Sequence, residues 1–409
     1  MTPNIPAPNQ RLTVKTILPS TVMDFQCIMG ACEDNCCRNT TWTISVDPDS
    51  YKKYEGLGNE VGQRILDCID GDASGYRFKE FDDGKCPLML DSGLCYIHKE
   101  LGADFLCKTC ATYPRYIFKF DKNLEHWLSL SCPEVVRHVL YRTRGISFVE
   151  GTMQISHIPE TKPEDANKIM VRDTLAKIIS FRKLGLKEKL LYMGMFMRSM
   201  SKLPKDSKTY SRDARQTIKN YSNGLKDARK TLSEVIKKLD EKGIQNRESI
   251  LLPISILTSH AAIPPKKHPE GIENEKYYTL MKSFYDDIKV GKVREFLLDA
   301  YDGLIVPYVN SKPYVFENYL MYALMSSMFL SDSDDYALCY AGFAGEFVTM
   351  LVFACMFHEY DTFGDEEMVV AMYLFHRRIS HNIQLRKQLA ERFSDNLLVF
   401  LISALGGIK

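Results

Sequence analysis

Ten of the twelve cysteines of this chain fall between Cys27 and Cys132. They run C-x4-C-x3-C-C at Cys27, Cys32, Cys36 and Cys37, then continue as Cys68, Cys86, Cys95, Cys107, Cys110 and Cys132. Thiolates are soft, polarisable ligands, and a set this dense suits a zinc ion or an iron–sulfur cluster, either of which needs four of them. Neither common spacing is matched. A zinc ribbon pairs two C-x2-C knuckles, and only Cys107 and Cys110 have that spacing. The C-x3-C-x2-C run of radical-type clusters begins at Cys32 and Cys36 but meets Asn39 where its third cysteine should stand. A lone histidine near a turn, such as His98, is more often structural than a ligand, because ligation needs a partner on the other ring nitrogen.

Composition decides what surrounds these thiols. The net charge of +1 argues for neither a nucleic acid nor a membrane surface as partner. Met1 to Gln26 is broken by four prolines and lacks the apolar run of an export signal. The expectation is therefore a reducing cytoplasm, where a disulfide framework would not persist. Tyr336 to Phe357 is long and apolar enough to cross a bilayer, but Glu346 sits near its centre and carboxylates crowd both ends. A buried helix of a large α domain fits better.

The predicted elements divide the chain in two. Up to about residue 157 they are short: an arm or strand over 11–26, a strand over 41–46, and a helix opened by Asp47-Pro48. A Gly- and Asp-rich turn region covers 71–85. Two hairpins then follow, Cys86–Leu90 with Leu94–His98 and Tyr116–Phe120 with Trp127–Leu130, before a helix over 134–142. From 158 onward the pattern has a helical period. Helices are expected over 166–181, 187–200, 275–289, 293–301, 316–330, 366–382 and 385–405. One more runs through Tyr221, Leu225, Ala228, Leu232, Ile236 and Leu239. Residues 161–250 carry roughly twice as many basic as acidic side chains, which suits a solvated helix face or a dock for an acidic partner. The fold class is thus mainly α: an N-terminal cysteine-rich α+β metal-cluster module over 1–157, then an all-α helical domain over 158–409.

Beyond these patterns, Asp24-Phe25-x-Cys27-x4-Cys32-Glu33-Asp34-x-Cys36-Cys37 resembles the opening of the flagellin lysine N-methylase family. The likeness continues through Cys86-Pro87, Gly93-x-Cys95-x-Ile97-His98, Thr109-Cys110-x2-Tyr113-Pro114-Arg115 and Leu130-Ser131-Cys132-Pro133. It reaches the helical half at Glu317-Asn318-Tyr319-Leu320 and Arg378-Ile379-Ser380-His381-Asn382. The resemblance implies methyl transfer from S-adenosylmethionine to lysines of flagellin in the cytoplasm, by a protein carrying an iron–sulfur cluster of the 4Fe-4S type. The metal ligands it implies are Cys27, Cys32, Cys36, Cys37, Cys86, Cys95, Cys110 and Cys132, with Cys107 and Cys68 outside the pattern. Partners would be flagellin, with no nucleic acid and no membrane; the oligomeric state stays open.

That chemistry sets its own demands. Displacement at a sulfonium methyl needs a neutral amine, so a lysine of ordinary pKa about 10.4 must lose its proton. Glu33, Asp34, Tyr113 and His381 are the side chains considered as base or amine binder. A glycine-rich loop after a strand would mark an ordinary adenosine site. Gly56-x-Gly58-x3-Gly62 and Gly342-x2-Gly345 come nearest, yet both suit turns or helix packing better. The missing loop keeps a rival class in view: a non-enzymatic zinc- or iron-binding module whose thiols act as a structural staple or a metal carrier. An electron-transfer protein is a third.

Overall fold

Strand β1, Leu12–Pro19, lies at the centre of the first sheet because its two neighbours come from far along the chain. The computed structural model describes residues 12–38, 44–72, 75–79, 85–120, 123–155, 166–240, 251, 293–327, 329–331, 333–357, 362–380, 383–394 and 396–409. A second, smaller sheet is built from β2 (Ser45–Val46), β3 (Ile69–Asp72) and β4 (Gly75–Phe78), in the order β2-β4-β3. The first sheet is completed by β5 (Arg115–Phe120), β6 (Asn123–Leu128) and β7 (Phe148–Ile155), in the order β5-β6-β1-β7. β1 runs parallel to β6 and antiparallel to β7, with Leu12 opposite Ile155 and Pro19 opposite Phe148.

The sheets differ in what covers them. In β6 every side chain from Leu124 to Leu128 is buried, so both faces of the strand are packed, an arrangement more usual in parallel sheets. Its charged member, Glu125, is held by Arg172 at 2.7 Å. The Pro313–Ser326 helix crosses the strand's end, where Tyr322 Oη accepts from Leu128 N at 2.7 Å and also donates to Leu128 O. Leu18, Trp127 and Leu128 therefore belong to the same apolar core as the C-terminal helices. The small sheet has a core of its own: Ile44, Val46, Tyr54, Ile65, Phe78, Leu88 and Ile97, together with Cys86 and Cys107.

Several helices match expectation closely. Asp47 caps the Pro48–Gly56 helix by accepting from Ser50 N at 3.0 Å. Ala166–Ile179, Leu186–Ser201 and Val293–Ala300 stand where the periodicity places them. Tyr336–Ala354 is buried on all sides, with 16 of its 19 residues inaccessible, as a core helix requires. It is the one helix among the described residues long and apolar enough to cross a membrane. Gly342 and Gly345 let the Ile383–Phe393 helix close on it; a Cβ at Gly345 would stand 2.8 Å from the Phe393 ring.

Other expectations need correction. The Gly- and Asp-rich 71–85 stretch was expected as a turn region, but its start is the second half of a β3–β4 hairpin, secured by Tyr76 stacked on Tyr51 with centroids 3.8 Å apart. The expected Cys86–His98 hairpin shrinks to one bridge between Met89 and Cys95, because Tyr96 already begins a helix, Tyr96–Leu101. The single helix through Tyr221 and Leu239 breaks at Leu225–Asp227, where Tyr192 Oη takes the Tyr221 carbonyl at 3.0 Å. The 366–382 helix ends as such at Phe375 and continues as one wide π turn, His376–Ser380. The 385–405 segment is two helices, Ile383–Phe393 and Leu397–Ala404. The 275–289 helix, the 41–43 part of the first strand, and the residue-157 boundary lie outside the described residues.

Candidate functional site

Loops of the cysteine-rich region are drawn together by backbone and side-chain ties rather than by long elements. Cys86 N donates to Cys37 O at 2.7 Å, joining segments remote in sequence. Asn35 accepts from Cys37 N at 3.0 Å and donates to Gly93 O at 3.4 Å. Asp47 does double duty: having capped its own helix, it accepts from Lys108 N at 2.8 Å and so fixes the turn that carries Cys107 and Cys110. Burial pushes its carboxyl up, but the N–H groups of Lys108 and Ser50 outweigh it and hold Asp47 below the usual carboxylate range. Cys95 and Cys107 sit at the N-caps of the Tyr96–Leu101 and Lys108–Thr112 helices.

The outcome is six cysteines lining a cavity of about 720 Å³: Cys36, Cys37, Cys86, Cys95, Cys107 and Cys110. Their protonation is strongly coupled. A hydrogen bond from Cys37 lowers Cys36 to about 7 against the effect of burial, helped by the charge of Arg377. The same bond, with burial, drives Cys37 far up. Cys107 is likewise lowered by its bond with Cys110, and Cys110 raised. Burial pushes Cys86 up to about 12. In each pair the shared hydrogen bond favours the thiolate on one sulfur and the proton on the other.

The helical half lines the same cavity. Tyr319, Tyr322, Phe329 and Phe343 supply aromatic surface, and Glu346, His376, Ser380 and Arg386 supply polar groups. The π turn His376–Ser380 explains how three adjacent roles are served: it gives His376 and Ser380 to the cavity and Arg377 to the seam beside it. Arg377 donates to Asp34 Oδ2 at 2.7 Å and to Ser131 O at 3.1 and 3.2 Å, with both charged side chains at most 3% exposed. Tyr113 joins the wall next to a cis peptide at Pro114 and meets Ser131 Oγ at 3.1 Å. Burial raises its phenol above the ordinary value, so it is a neutral hydroxyl at neutral pH.

Five of the eight expected ligands line this cavity. Cys107, outside the expected set, lines it too; its C-x2-C spacing to Cys110 was the available signal. Cys27, Cys32 and Cys132 form a separate neighbourhood. Met29 N donates to Cys27 Sγ at 3.3 Å, and burial pushes Cys32 to about 12 and Cys132 to about 11, with Cys132 adding to the rise at Cys32 and Cys27 to that at Cys132. Cys68 is half-buried against the small core. Of the bases considered, Tyr113 lines the cavity. Asp34 is spent on Arg377, Glu33 pairs with Arg137 at 2.6 Å, and His381 lies outside the described residues. Among the described residues no three Cys, His, Asp or Glu side chains are drawn to one point as for a bound ion. In donor chemistry the six-thiol wall nevertheless fits a thiolate-held centre.

A fold and a site of this kind define a cysteine-rich, mostly helical protein with a cavity lined by thiols and helices, and comparison with known proteins says which. Residues 172–402, more than half the chain, match the model of the FliB lysine N-methylase C-terminal domain. The chain belongs to the FliB lysine N-methylase family. It is 30% identical to the flagellar biosynthetic protein FliU of Salmonella muenchen over 128 residues, 30% of this chain and 75% of that protein. It is 29% identical over 141 residues to the lysine-N-methylases of Salmonella choleraesuis and Salmonella typhimurium, 33% of this chain and 35% of each relative. The matched part thus spans about a third of the curated lysine-N-methylases. No solved structure matches.

Proposed function

We propose that this chain is a protein-lysine N-methyltransferase that takes methyl from S-adenosylmethionine, with flagellin as substrate in the cytoplasm. One observation carries the reading beyond family membership: the family-matched helices and the thiols line one cavity, of a size that admits a drug-sized ligand. Four of Cys36, Cys37, Cys86, Cys95, Cys107 and Cys110 would hold a 4Fe-4S cluster. Bound there, such a cluster supplies Lewis-acid or one-electron chemistry tuned by its burial.

The residues present suit other parts of the reaction. Transfer forms an N–CH3 bond as the S–CH3 bond breaks, leaving the electron pair on sulfur and the positive charge on nitrogen. The aromatic wall keeps the cavity surface mostly apolar, which strengthens electrostatic interactions inside. It also suits a sulfonium, whose charge is attracted to ring faces. Tyr113, held neutral, hydrogen-bonds without competing for charge.

The test is to purify the protein anaerobically, measure iron, zinc and acid-labile sulfide, and incubate it with flagellin and S-adenosylmethionine carrying a labelled methyl. Labelled lysine in flagellin, with about four irons and four sulfides per chain, is the expected result. Unmodified flagellin would remove the transferase reading. A second reading is favoured by the small core around the thiols, in which two of nine members are cysteines: zinc bound without sulfide would make the thiols a staple for that core.

A further inference from the structure

We propose that Glu346, with Ser380 and Arg386, is the subsite that receives the primary amine of the substrate side chain. Glu346 is the only charged residue in the Tyr336–Ala354 helix, and its side chain is 14% exposed. A carboxylate in such a setting costs desolvation energy that an alanine or leucine there would not. Packing alone does not call for it.

Its surroundings point to a ligand. Glu346 lines the cavity. Ser380 Oγ donates to Oε1 at 2.5 Å and Arg386 Nε to Oε2 at 3.2 Å. A carboxylate offers about four lone-pair positions, so these donors leave acceptor capacity at the cavity wall. Tyr319, Phe329 and Phe343 line the same space, and aromatic faces beside a carboxylate form a site for an alkylamine: rings against the methylenes and cation, carboxylate for the N–H groups. A sulfonium centre has no N–H to donate, so hydrogen bonding to the carboxylate favours the amine nitrogen over that centre. Arg386 sets the protonation preference. Its charge offsets that of Glu346, so the pair as a whole gains less from a second cation than a lone carboxylate would. A neutral amine can then sit with an N–H on Glu346 and its lone pair free.

The transferase reading supplies the identity of the amine as lysine; the amine site itself is testable without methyl transfer. n-Butylamine and the uncharged n-butanol are titrated by calorimetry into the full-length, anaerobically purified protein and into E346Q, which keeps the shape and the Ser380 contact. The expected result is amine binding to wild type, weakened about tenfold or more in E346Q, with butanol unchanged. Trimethylsulfonium serves as the cation without N–H, and its affinity should fall less in E346Q than that of butylamine, because it loses charge attraction but no hydrogen bond. Equal butylamine affinity in wild type and E346Q overturns the proposal, as does failure of wild type to bind the amine better than the alcohol. Should E346Q not fold, E346D keeps the charge but retracts it by one methylene, and about threefold weaker amine binding is expected, unchanged affinity overturning the proposal. A structural Glu346–Arg386 pair would instead shift the melting temperature and leave the amine affinity alone. If flagellin goes unmethylated while amine binding falls in E346Q, the transferase reading fails and the subsite stands. If flagellin is methylated with the same KM and kcat by both proteins, the subsite fails alone.

Discussion

The thiol-bearing region and the helical body solve the same problem by different means. Around the small sheet the buried apolar set is nine residues, two of them cysteines, and loops are tied by single hydrogen bonds such as Cys86 N to Cys37 O. In the body one continuous core takes in strands and helices alike, down to Tyr319, Tyr322, Tyr340 and Tyr373, all at most 2% exposed. The first region rests on a few apolar contacts and single ties, the second on packing. Function, on the reading above, needs both, because both line the cavity.

The seam between them gives the largest expected effect. Arg377 and Asp34 are both buried, and burial alone would lower the arginine's pKa; the charge of Asp34 holds it above the ordinary value. Removing one partner leaves the other charged and buried, so R377A or D34A should cost about 3–5 kcal/mol in denaturant unfolding. The double variant R377M/D34L, which removes both charges, should recover most of that. A single variant within about 0.5 kcal/mol of wild type would mean that the halves do not depend on this contact. Asp34 belongs to the family-like opening and was legible as a residue of interest, but its role was not. Its partner lies 343 residues away, and no local pattern encodes that pairing.

The same distinction separates what was legible from what was not. Local signals held: Asp47 as cap, the β5–β6 hairpin, the helical period of 166–179 and 186–201, and Glu346 as an acid out of place in an apolar helix. Non-local assembly did not show. The division of the thiols depends on tertiary ties across loops, and β1 takes its neighbours from residues more than a hundred positions away. The π turn that aims His376, Arg377 and Ser380 differs from an α-helix by one residue of hydrogen-bond register, which the period of apolar residues does not resolve.

Within the body, pH offers a sharper test of the packing side. His126 on β6 is 1% exposed, and burial depresses its pKa from 6.5 to about 4. The unfolded chain therefore binds a proton between those values when the folded one does not, so stability rises with pH across that window. Its contribution is complete above about pH 6.5 and is lost as pH falls towards 4, on the order of 3 kcal/mol at most. H126F should flatten the pH dependence of unfolding between pH 4 and 6.5. If the slope persists unchanged, the sensitivity lies in groups other than His126.

The smallest expected effect tests whether the cavity wall is rigid. Tyr322 faces the cavity, yet its hydroxyl is committed to the backbone of Leu128, and its ring packs edge-on to Trp127 with centroids 4.9 Å apart. Y322F keeps the ring and loses the hydroxyl, leaving the buried N–H of Leu128 without that acceptor, a loss of about 1–2 kcal/mol. Hydrogen exchange should quicken at Leu128 and its β6 neighbours, while the protection of the small sheet stays as it was. Were exchange to quicken equally at β2–β4, the small sheet would be drawing its order from the body's core rather than from its thiols. The ring is packed into the wall and kept by the substitution, while the hydroxyl is what the strand uses, so affinity for an apolar probe such as n-butanol should survive even as the strand loosens.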